Sequence, residues 1–269
     1  NFSVKSKYKR RNIMRDFDLT VIGGGAGGLN VASGAAQLGA RVALIEKNKL
    51  GGDCLYYGCV PTKALIHSAK IASLIKRSKE YGLNETNISF DFKNIMNHMR
   101  EVISKVGEHD DPKRFENMGV QVFFGDGRFI DPHTFEFDGK KITSRKFVIS
   151  TGSRAVAIPV KGLEKIKYLT SESVLKLDYL PKSIIILGAG PIGLEFAQVF
   201  ARFGTKVTVL EKMGQILPRE DKEVSDTLEA ILKEEGIAIH TCVDIDHVKQ
   251  NGDQKGIEVV AMCSGQQKT

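Results

Sequence analysis

Two cysteines, Cys54 and Cys59, lie with four residues between them in the segment GGDCLYYGCVPTK, residues 51 to 63. Residues five apart on a regular helix are separated by roughly 8 to 9 Å, whereas a disulfide needs about 4.4 to 6.8 Å between Cα atoms. A bridge between these thiols therefore requires a distorted backbone, and Gly58 is the permissive position beside Cys59. The alternative is two buried free cysteines, because C-x4-C is not a zinc-binding spacing.

A helix is expected to begin beside the second cysteine. Pro61 suits a first helical turn, and apolar residues at helical spacing predict a helix over residues 62 to 80. The positive end of the helix dipole and the ammonium group of Lys63 both favour a thiolate at Cys59. The segment therefore predicts one cysteine of the pair as the reactive thiolate.

An internal repeat surrounds this segment. Residues 19 to 47 and 184 to 212 align at a constant offset without gaps, and each copy reads as a strand, a tight turn, a helix and a second strand. The first glycine of each turn makes the bend, the second lets the backbone approach a pyrophosphate, and the third allows close packing of helix on strand. These glycines are Gly23, Gly25 and Gly28 in the first copy and Gly188, Gly190 and Gly193 in the second.

An acid closes the second strand of each copy. Glu46 and Glu211 follow the first glycine of their turn at the same spacing, and a carboxylate there accepts hydrogen bonds from a ribose diol and repels a 2′-phosphate. A single glycine-rich turn is weak evidence, whereas two matched copies predict two dinucleotide sites. At the second site the acid favours NAD over NADP, although Lys206 and Lys212 are cations that could turn towards a phosphate.

With these motifs, nearly all of residues 16 to 269 resembles the class I pyridine nucleotide-disulfide oxidoreductases, a family that includes dihydrolipoamide dehydrogenase, glutathione reductase and mercuric reductase. The resemblance rests on the thiol segment, on the TGS sequence at residues 151 to 153, and on GPIGLEFA before the second acid. It implies an α/β fold with two Rossmann-like domains, each of three layers. It also implies that the first repeat binds FAD and the second a nicotinamide nucleotide.

The resemblance also implies roles for individual residues. Cys54 matches the interchange thiol that meets the acceptor, and Cys59 matches the thiol next to the flavin, with a redox-active disulfide between them. Lys63 matches the lysine beneath the flavin, and Glu195 matches its glutamate partner. The positions implied for cofactor binding are Gly23, Gly25, Ala26, Gly27, Gly28, Glu46, Lys47, Gly52, Asp53, Lys63, Gly127, Thr151, Gly152, Ser153, Gly188, Gly190, Pro191, Ile192, Gly193 and Glu211.

Three domains are expected: a basic arm at residues 1 to 15, an FAD-binding domain with the redox disulfide at 16 to 155, and a nicotinamide nucleotide domain at 156 to 269 that is incomplete at its C-terminus. The family continues into a dimerisation domain with a His-Glu acid-base pair. This sequence has no counterpart to that domain, so we expect a fragment of a homodimeric enzyme. Within the FAD domain, a second helix is predicted over 91 to 107, followed by short strands with turns at Asp131-Pro132 and Asp138-Gly139.

The acceptor is open at this stage. Glutathione is not expected, because Ala26, Ser33 and Gly34 stand where glutathione reductases carry a serine and paired arginines. Lipoamide, another disulfide, a metal ion or a quinone all remain. The thiol segment departs from the usual family pattern, which has a threonine, an asparagine and a small residue where this chain has Asp53, Tyr56 and Tyr57.

The net charge of +7 comes mainly from the arm, which carries six basic residues and no acid. An arm of this kind could touch anionic lipid, and nucleic acid is not expected as a partner. The sequence has no apolar run long enough to cross a membrane, no secretion signal and only four cysteines, and it therefore predicts a cytoplasmic enzyme without a structural metal. The alternative function is a flavin-binding redox sensor without turnover, recruited to a membrane by the arm.

Overall fold

The computed structural model describes residues 14–250, 256–263 and 266–268. The predicted membrane contact of the basic arm falls mostly on residues outside these ranges. The helices are α1 (Ala26–Gln37), α2 (Gly52–Tyr56), α3 (Cys59–Lys76), α4 (Phe92–Gly107), α5 (Pro112–Asn117), α6 (Pro191–Phe203) and α7 (Lys222–Glu234). The strands are β1 (Phe17–Ile22), β2 (Val42–Glu46), β3 (Val120–Phe124), β4 (Gly127–Asp131), β5 (Thr134–Phe137), β6 (Lys140–Ile149), β7 (Ser183–Leu187), β8 (Lys206–Leu210), β9 (Ala238–His240), β10 (Val243–Gln250), β11 (Ile257–Cys263) and β12 (Gln266–Lys268).

The chain forms two compact units, one from Asn1–Gly52 with Gly107–Gly152 and the other from Asp53–Val106 with Ser153–Thr269. The first unit holds a six-stranded sheet in the order β3-β2-β1-β6-β5-β4. The strands β1, β2, β3 and β6 run parallel, and β5 and β4 extend the sheet in antiparallel fashion. The carboxyl ends of the parallel strands therefore share one edge, which is where ligands bind in open α/β sheets.

Strand β2 shows how the first core is built. Val42 and Leu44 are buried on one face with Leu29 of α1, and Ala43 and Ile45 are buried on the other face among aromatic residues of β5. Alternate residues of a strand point to opposite faces, so an apolar residue at every position indicates a strand covered on both sides.

The second unit contains a parallel sheet β7-β8-β9 and an antiparallel sheet β10-β11-β12. Its largest core joins α3 to α6: Ala69 and Ala197 are fully buried there, and Phe200 is nearly so. Phe92, at the start of α4, contacts Phe200 and Phe203 of α6 with ring centroids 6.2 and 6.0 Å apart. Small alanines let the two helices approach closely, and the phenylalanines fill the space beside them.

The predicted α/β fold class is confirmed. Both predicted strand-turn-helix-strand units are present, as are the helix predicted over 91 to 107 and the two turns of the meander. The helix expected to begin beside the second cysteine is present, since α3 starts at Cys59 with Pro61 in its first turn, but it ends at Lys76 and not at residue 80. A separate 3-10 helix, Ser78–Tyr81, follows it.

The predicted domain boundary at residue 155 stays a prediction. By contacts, residues 53–106 group with the second nucleotide unit, since α3 packs against α6 over much of its length. Among the helices within the described ranges, none combines the length and the apolar character needed to cross a membrane.

Candidate functional site

The two glycine-rich turns have the same backbone geometry. Gly23 has φ +101° and Gly188 has φ +100°, a left-handed conformation that favours glycine. A Cβ atom at Gly28 would stand 1.8 Å from the carbonyl oxygen of Gly23, and one at Gly193 would stand 2.4 Å from that of Gly188. The third glycine of each motif is therefore required because the helix packs directly onto the first glycine of its own turn.

Each turn opens a helix whose first N–H groups have no partner within the helix. The first backbone bonds are Leu29 N to Gly25 O at 2.9 Å in α1 and Leu194 N to Gly190 O at 3.0 Å in α6. Such an N-terminus binds anions, so both helix starts fit a pyrophosphate. The two helix starts leave different amounts of space at equivalent positions. A Cβ at Gly27 would meet nothing within 4 Å, whereas Ile192 carries a side chain that is 57% exposed.

The acids predicted to bind ribose also hold the turns through hydrogen bonds. Glu46 accepts hydrogen bonds from Gly24 N at 2.7 Å and Asn48 N at 2.8 Å. Glu211, which is 8% exposed, accepts from Ala189 N and Met213 N at the same two distances. Each carboxylate oxygen keeps a second lone pair, so the acids can hold the turn and still accept from a ribose hydroxyl.

Other predicted cofactor residues of the first unit lie along the carboxyl edge of its sheet. Gly125 N donates to Glu46 O at 3.0 Å, and Gly127 lines a hollow of about 300 Å³ between β4 and β5. Ser150 N donates to Ile22 O at 2.7 Å, which brings the end of β6 to the first glycine turn. Thr151 and Gly152 follow there and are exposed, as is Lys47 after β2.

The structural repeat extends further than the sequence repeat. Gly51 N donates to Gly24 O at 2.9 Å, and Leu217 N donates to Ala189 O at the same distance. Gly51 has φ +103° and Leu217, which makes the equivalent bond, has φ +44°. A Cβ at Gly52 would stand 2.7 Å from the Cα of Gly25. In the first copy, the loop after β2 therefore lies directly on the pyrophosphate turn.

The predicted distortion between the cysteines is a break between two helices. Asp53 O accepts from Tyr57 N at 2.8 Å and from Gly58 N at 2.6 Å, which ends α2. The chain then starts α3 at Cys59. Gly58 has φ −114° and does not use the left-handed region. Its lack of a side chain matters because a Cβ would stand 3.1 Å from Asp53 Oδ2 and 3.3 Å from Cys54 Cα.

The break brings the two thiols into contact. Cys54 is half-buried and Cys59 is exposed, and both are free thiols, so the alternative of two buried cysteines does not hold. A hydrogen bond with Cys59, burial, and the negative charge of Cys59 raise the pKa of the Cys54 thiol. The thiolate predicted at Cys59 stays a prediction.

Lys63 lies one turn beyond Cys59 on α3, and its Nζ donates to Glu195 Oε1 at 2.5 Å. This is the contact that the resemblance implies. The side chains are 61% and 31% exposed, so the pair alone stabilises the fold by only about 0 to 1 kcal/mol. At the other end of α3, Lys76 Nζ donates to Arg202 O at 2.7 Å, in the last turn of α6.

Sequence reasoning missed two of these features. The bond from Lys76 to a main-chain carbonyl carries no side-chain signature in the sequence of α6. Leu217 has a left-handed backbone conformation where the first repeat has glycine, so its residue type gave no indication of that conformation. Within the described ranges, no group of three or more His, Cys, Asp and Glu side chains could hold a metal ion.

Comparison with known proteins identifies a family model that covers almost the whole chain. The family is described as pyridine nucleotide-disulphide oxidoreductase, and its sequence model matches residues 17–268. The dihydrolipoyl dehydrogenase of Acholeplasma laidlawii is 36% identical over 239 residues, covering 87% of this chain and 71% of that protein. The mercuric reductase of Bacillus cereus is 31% identical over 244 residues, covering 91% of this chain and 39% of that protein.

The structure of a flavoprotein disulfide reductase is also similar to this chain. The HOCl-induced flavoprotein disulfide reductase RclA from Escherichia coli matches with a TM-score of 0.76 and 30% sequence identity, over 93% of this chain and 54% of that one. A Cu(II) complex of RclA matches with a TM-score of 0.75. The chain thus spans 39% to 71% of the lengths of these relatives.

Proposed function

This chain belongs to the pyridine nucleotide-disulphide oxidoreductase family, and from that premise we propose that it is the redox portion of a flavin-dependent reductase. Electrons would pass from a nicotinamide nucleotide through FAD to the Cys54-Cys59 pair and then to a disulfide or metal acceptor. The contact between these two thiols at the start of α3 carries the proposal.

Two dinucleotide folds support the assignment of cofactors. The family binds FAD and uses NAD or NADP, and the turn before α1 offers an open approach at Gly27 and a loop at Gly52 that leads directly to the thiols. FAD when bound would accept a hydride from the nucleotide and reduce the disulfide. We assign FAD to the first repeat and NAD to the second.

The residues of the thiol loop have distinct proposed roles. Cys59, the first residue of α3, is the thiol on the flavin side. Cys54 meets the acceptor. Lys63 places a positive charge one turn from Cys59, and Glu195 fixes the direction of its side chain through their hydrogen bond.

The acceptor is proposed as a class. The relatives include a dihydrolipoyl dehydrogenase and a mercuric reductase, and RclA is a disulfide reductase solved with Cu(II). A small disulfide or a thiophilic metal ion fits this pair of thiols, because Cys54, the thiol that meets the acceptor, is only half-buried. The full-length protein is proposed to be a cytoplasmic homodimer, as the family generally is.

Anaerobic titration of the FAD-loaded protein with NADH tests the proposal. One equivalent should open the disulfide and produce long-wavelength absorbance from the thiolate beside oxidised flavin, and a disulfide should then restore the starting spectrum. A spectrum that shows direct bleaching of the flavin, with no such band and no reoxidation by a disulfide, would favour the alternative of a flavin-binding sensor.

A further inference from the structure

We propose that Asp53 sets the class of acceptor: its carboxylate places a negative charge beside Cys54, so that cationic and neutral acceptors are favoured over anionic ones. This inference rests on the proposed function of the thiol pair. It assigns a role in acceptor specificity to Asp53, a residue that does not itself carry electrons.

The position of the carboxylate follows from the break between α2 and α3. Asp53 Oδ2 lies 3.1 Å from the point where a Cβ of Gly58 would stand, and the Cα of Cys54 lies 3.3 Å from the same point. The main-chain carbonyl of Asp53 also accepts from Gly58 N at 2.6 Å. The side chain is thus held over the loop that joins the two cysteines, rather than along a free helix surface.

In the part of the chain that the structure describes, no hydrogen-bond donor or cation pairs with the Asp53 carboxylate. The neighbouring cation of the loop, Lys63, is paired with Glu195. The charges of these three side chains therefore sum to −1, and the field of Asp53 acts on the Cys54 thiol.

The reaction affected is thiol-disulfide exchange. Cys54 gives up its proton and attacks one sulfur of an external disulfide, which forms a mixed disulfide and releases one thiol that takes up this proton. Cys59 then loses its proton and attacks the Cys54 sulfur, which closes the protein disulfide and releases the second thiol with that proton. Two protein thiols are oxidised and one external disulfide is reduced to two thiols. An acceptor with a carboxylate near its sulfur must approach against the charge of Asp53.

A pair of alkylating reagents measures this field without any turnover. Iodoacetamide and iodoacetate are similar in size and differ by one negative charge. The reduced protein would be treated with each at low ionic strength, and the rates at Cys54 and at Cys242 would be read by mass spectrometry. Cys242 is an exposed free thiol of the same unit and serves as the internal reference.

For Cys54, the ratio of the iodoacetamide rate to the iodoacetate rate should fall about threefold in Asp53→Asn, as expected for one charge at roughly 6 Å in water. Asp53→Glu should keep the ratio near that of the wild type, and Glu234→Gln, which removes an exposed acid of α7, should leave it unchanged. The wild-type ratio should also shrink as salt is added. An unchanged ratio in Asp53→Asn, together with a salt-independent wild-type ratio, overturns the proposal.

Disulfides then test the acceptor class. Cystamine is cationic, bis(2-hydroxyethyl) disulfide is neutral and 3,3′-dithiodipropionate is anionic. The wild type should favour cystamine over the anion, and Asp53→Asn should reduce that preference about threefold to tenfold. A preference that does not change in Asp53→Asn overturns the specificity role even if the alkylation ratio responds. If no disulfide oxidises the reduced thiols, the proposed function itself fails, and the alkylation ratio still reports the field separately.

Discussion

Glu211 holds the turn of its repeat through the same two hydrogen bonds that Glu46 makes in the first copy. In each copy one oxygen accepts from the residue after the first glycine, at 2.7 Å, and the other accepts from the second residue beyond the acid, at 2.8 Å. The acid that marks a ribose site in the sequence therefore also fixes the shape of the pyrophosphate turn. Substitution of either glutamate should affect both functions, so each experiment needs a variant that separates them.

Nucleotide preference is the first prediction from this relationship. The wild type should use NADH more than tenfold better than NADPH, because a charged hydrogen bond to the ribose diol contributes about 1.5 to 3 kcal/mol and a 2′-phosphate would be repelled. Lys212, one of the two competing cations, is already paired with Asp244 at 3.2 Å. The measurement is kcat/KM for both nucleotides.

Glu211→Gln tests the charge of the acid in that experiment, because it removes the charge and keeps the size of the side chain. The amide keeps the size of the side chain but has one acceptor oxygen in place of two, so one turn N–H loses its partner at a buried site. We expect a smaller NADH preference and a loss of about 1 to 3 kcal/mol in the free energy of unfolding. A strong NADPH preference that survives the substitution would assign ribose recognition to another residue.

The glycine contacts predict that the two cofactor sites can be damaged separately. Gly28→Ala should strip FAD from the purified protein, because its Cβ would overlap the carbonyl of Gly23 at 1.8 Å. Gly193→Ala should instead weaken nucleotide binding, through the contact at 2.4 Å with Gly188. Flavin absorbance relative to protein, and calorimetric titration with NADH, measure the two effects.

Gly34→Ala, further along α1, is the matched control, since a Cβ at Gly34 would meet nothing within 4 Å and alanine suits a helix better than glycine. It should retain the fold and the nucleotide affinity of the wild type. Full flavin content in Gly28→Ala would contradict the assignment of FAD to the first repeat.

Much of this arrangement is predictable from local sequence. The constant offset between the copies, the glycines and the two acids determine both strand-turn-helix-strand units, because each residue acts within its own motif. The end of the repeat is different. Gly51 and Leu217 both have a positive φ and donate equivalent hydrogen bonds back to the turn, yet a glycine and a leucine give no common sequence signal.

The start of α3 shows a second limit. Pro61 predicted a helix start beside Cys59, but the first residue is set by the main chain, since Asp53 O accepts from both Tyr57 N and Gly58 N and ends α2 just before α3 begins at Cys59. These bonds are made by the main chain, so they depend on how α2 ends rather than on residue type. The contact between Cys54 and Cys59 follows from this break, and the spacing alone left it open.

Acid sensitivity of the first unit is predicted from Asp18. Hydrogen bonds from Arg41 lower the pKa of Asp18 from 3.8 to about 2. Because the folded-state pKa lies below the unfolded value, the pair stabilises the fold above pH 4, and that contribution is lost as the pH falls from 4 towards 2. Arg41→Met should therefore lower the Tm at pH 6 and change it less at pH 2.5, as followed by calorimetry.

Asp18→Asn provides the check on that interpretation, since it removes the titrating group and leaves the guanidinium bound to Arg15 O. Its Tm deficit should follow the same pH profile as that of Arg41→Met. Equal deficits at pH 6 and pH 2.5 in both variants would show that the effect comes from packing and not from the ionised pair.

The last prediction concerns the division of labour between the two thiols. Cys54→Ser should leave FAD bound and Cys59 as a lone thiolate, with no reduction of disulfides, because the acceptor-side thiol is required for exchange but contributes little to the fold. A ring of this size stabilises the fold by only about 2 kcal/mol when it is closed.

Cys242→Ser is the control, since it removes an exposed thiol outside the loop and should keep full activity. Flavin content, NADH-dependent disulfide reduction and the long-wavelength absorbance of the Cys59 thiolate would be measured together. Disulfide reductase activity in Cys54→Ser would show that the electrons leave through a different group, because Cys59 alone cannot form the intramolecular disulfide that completes the reaction.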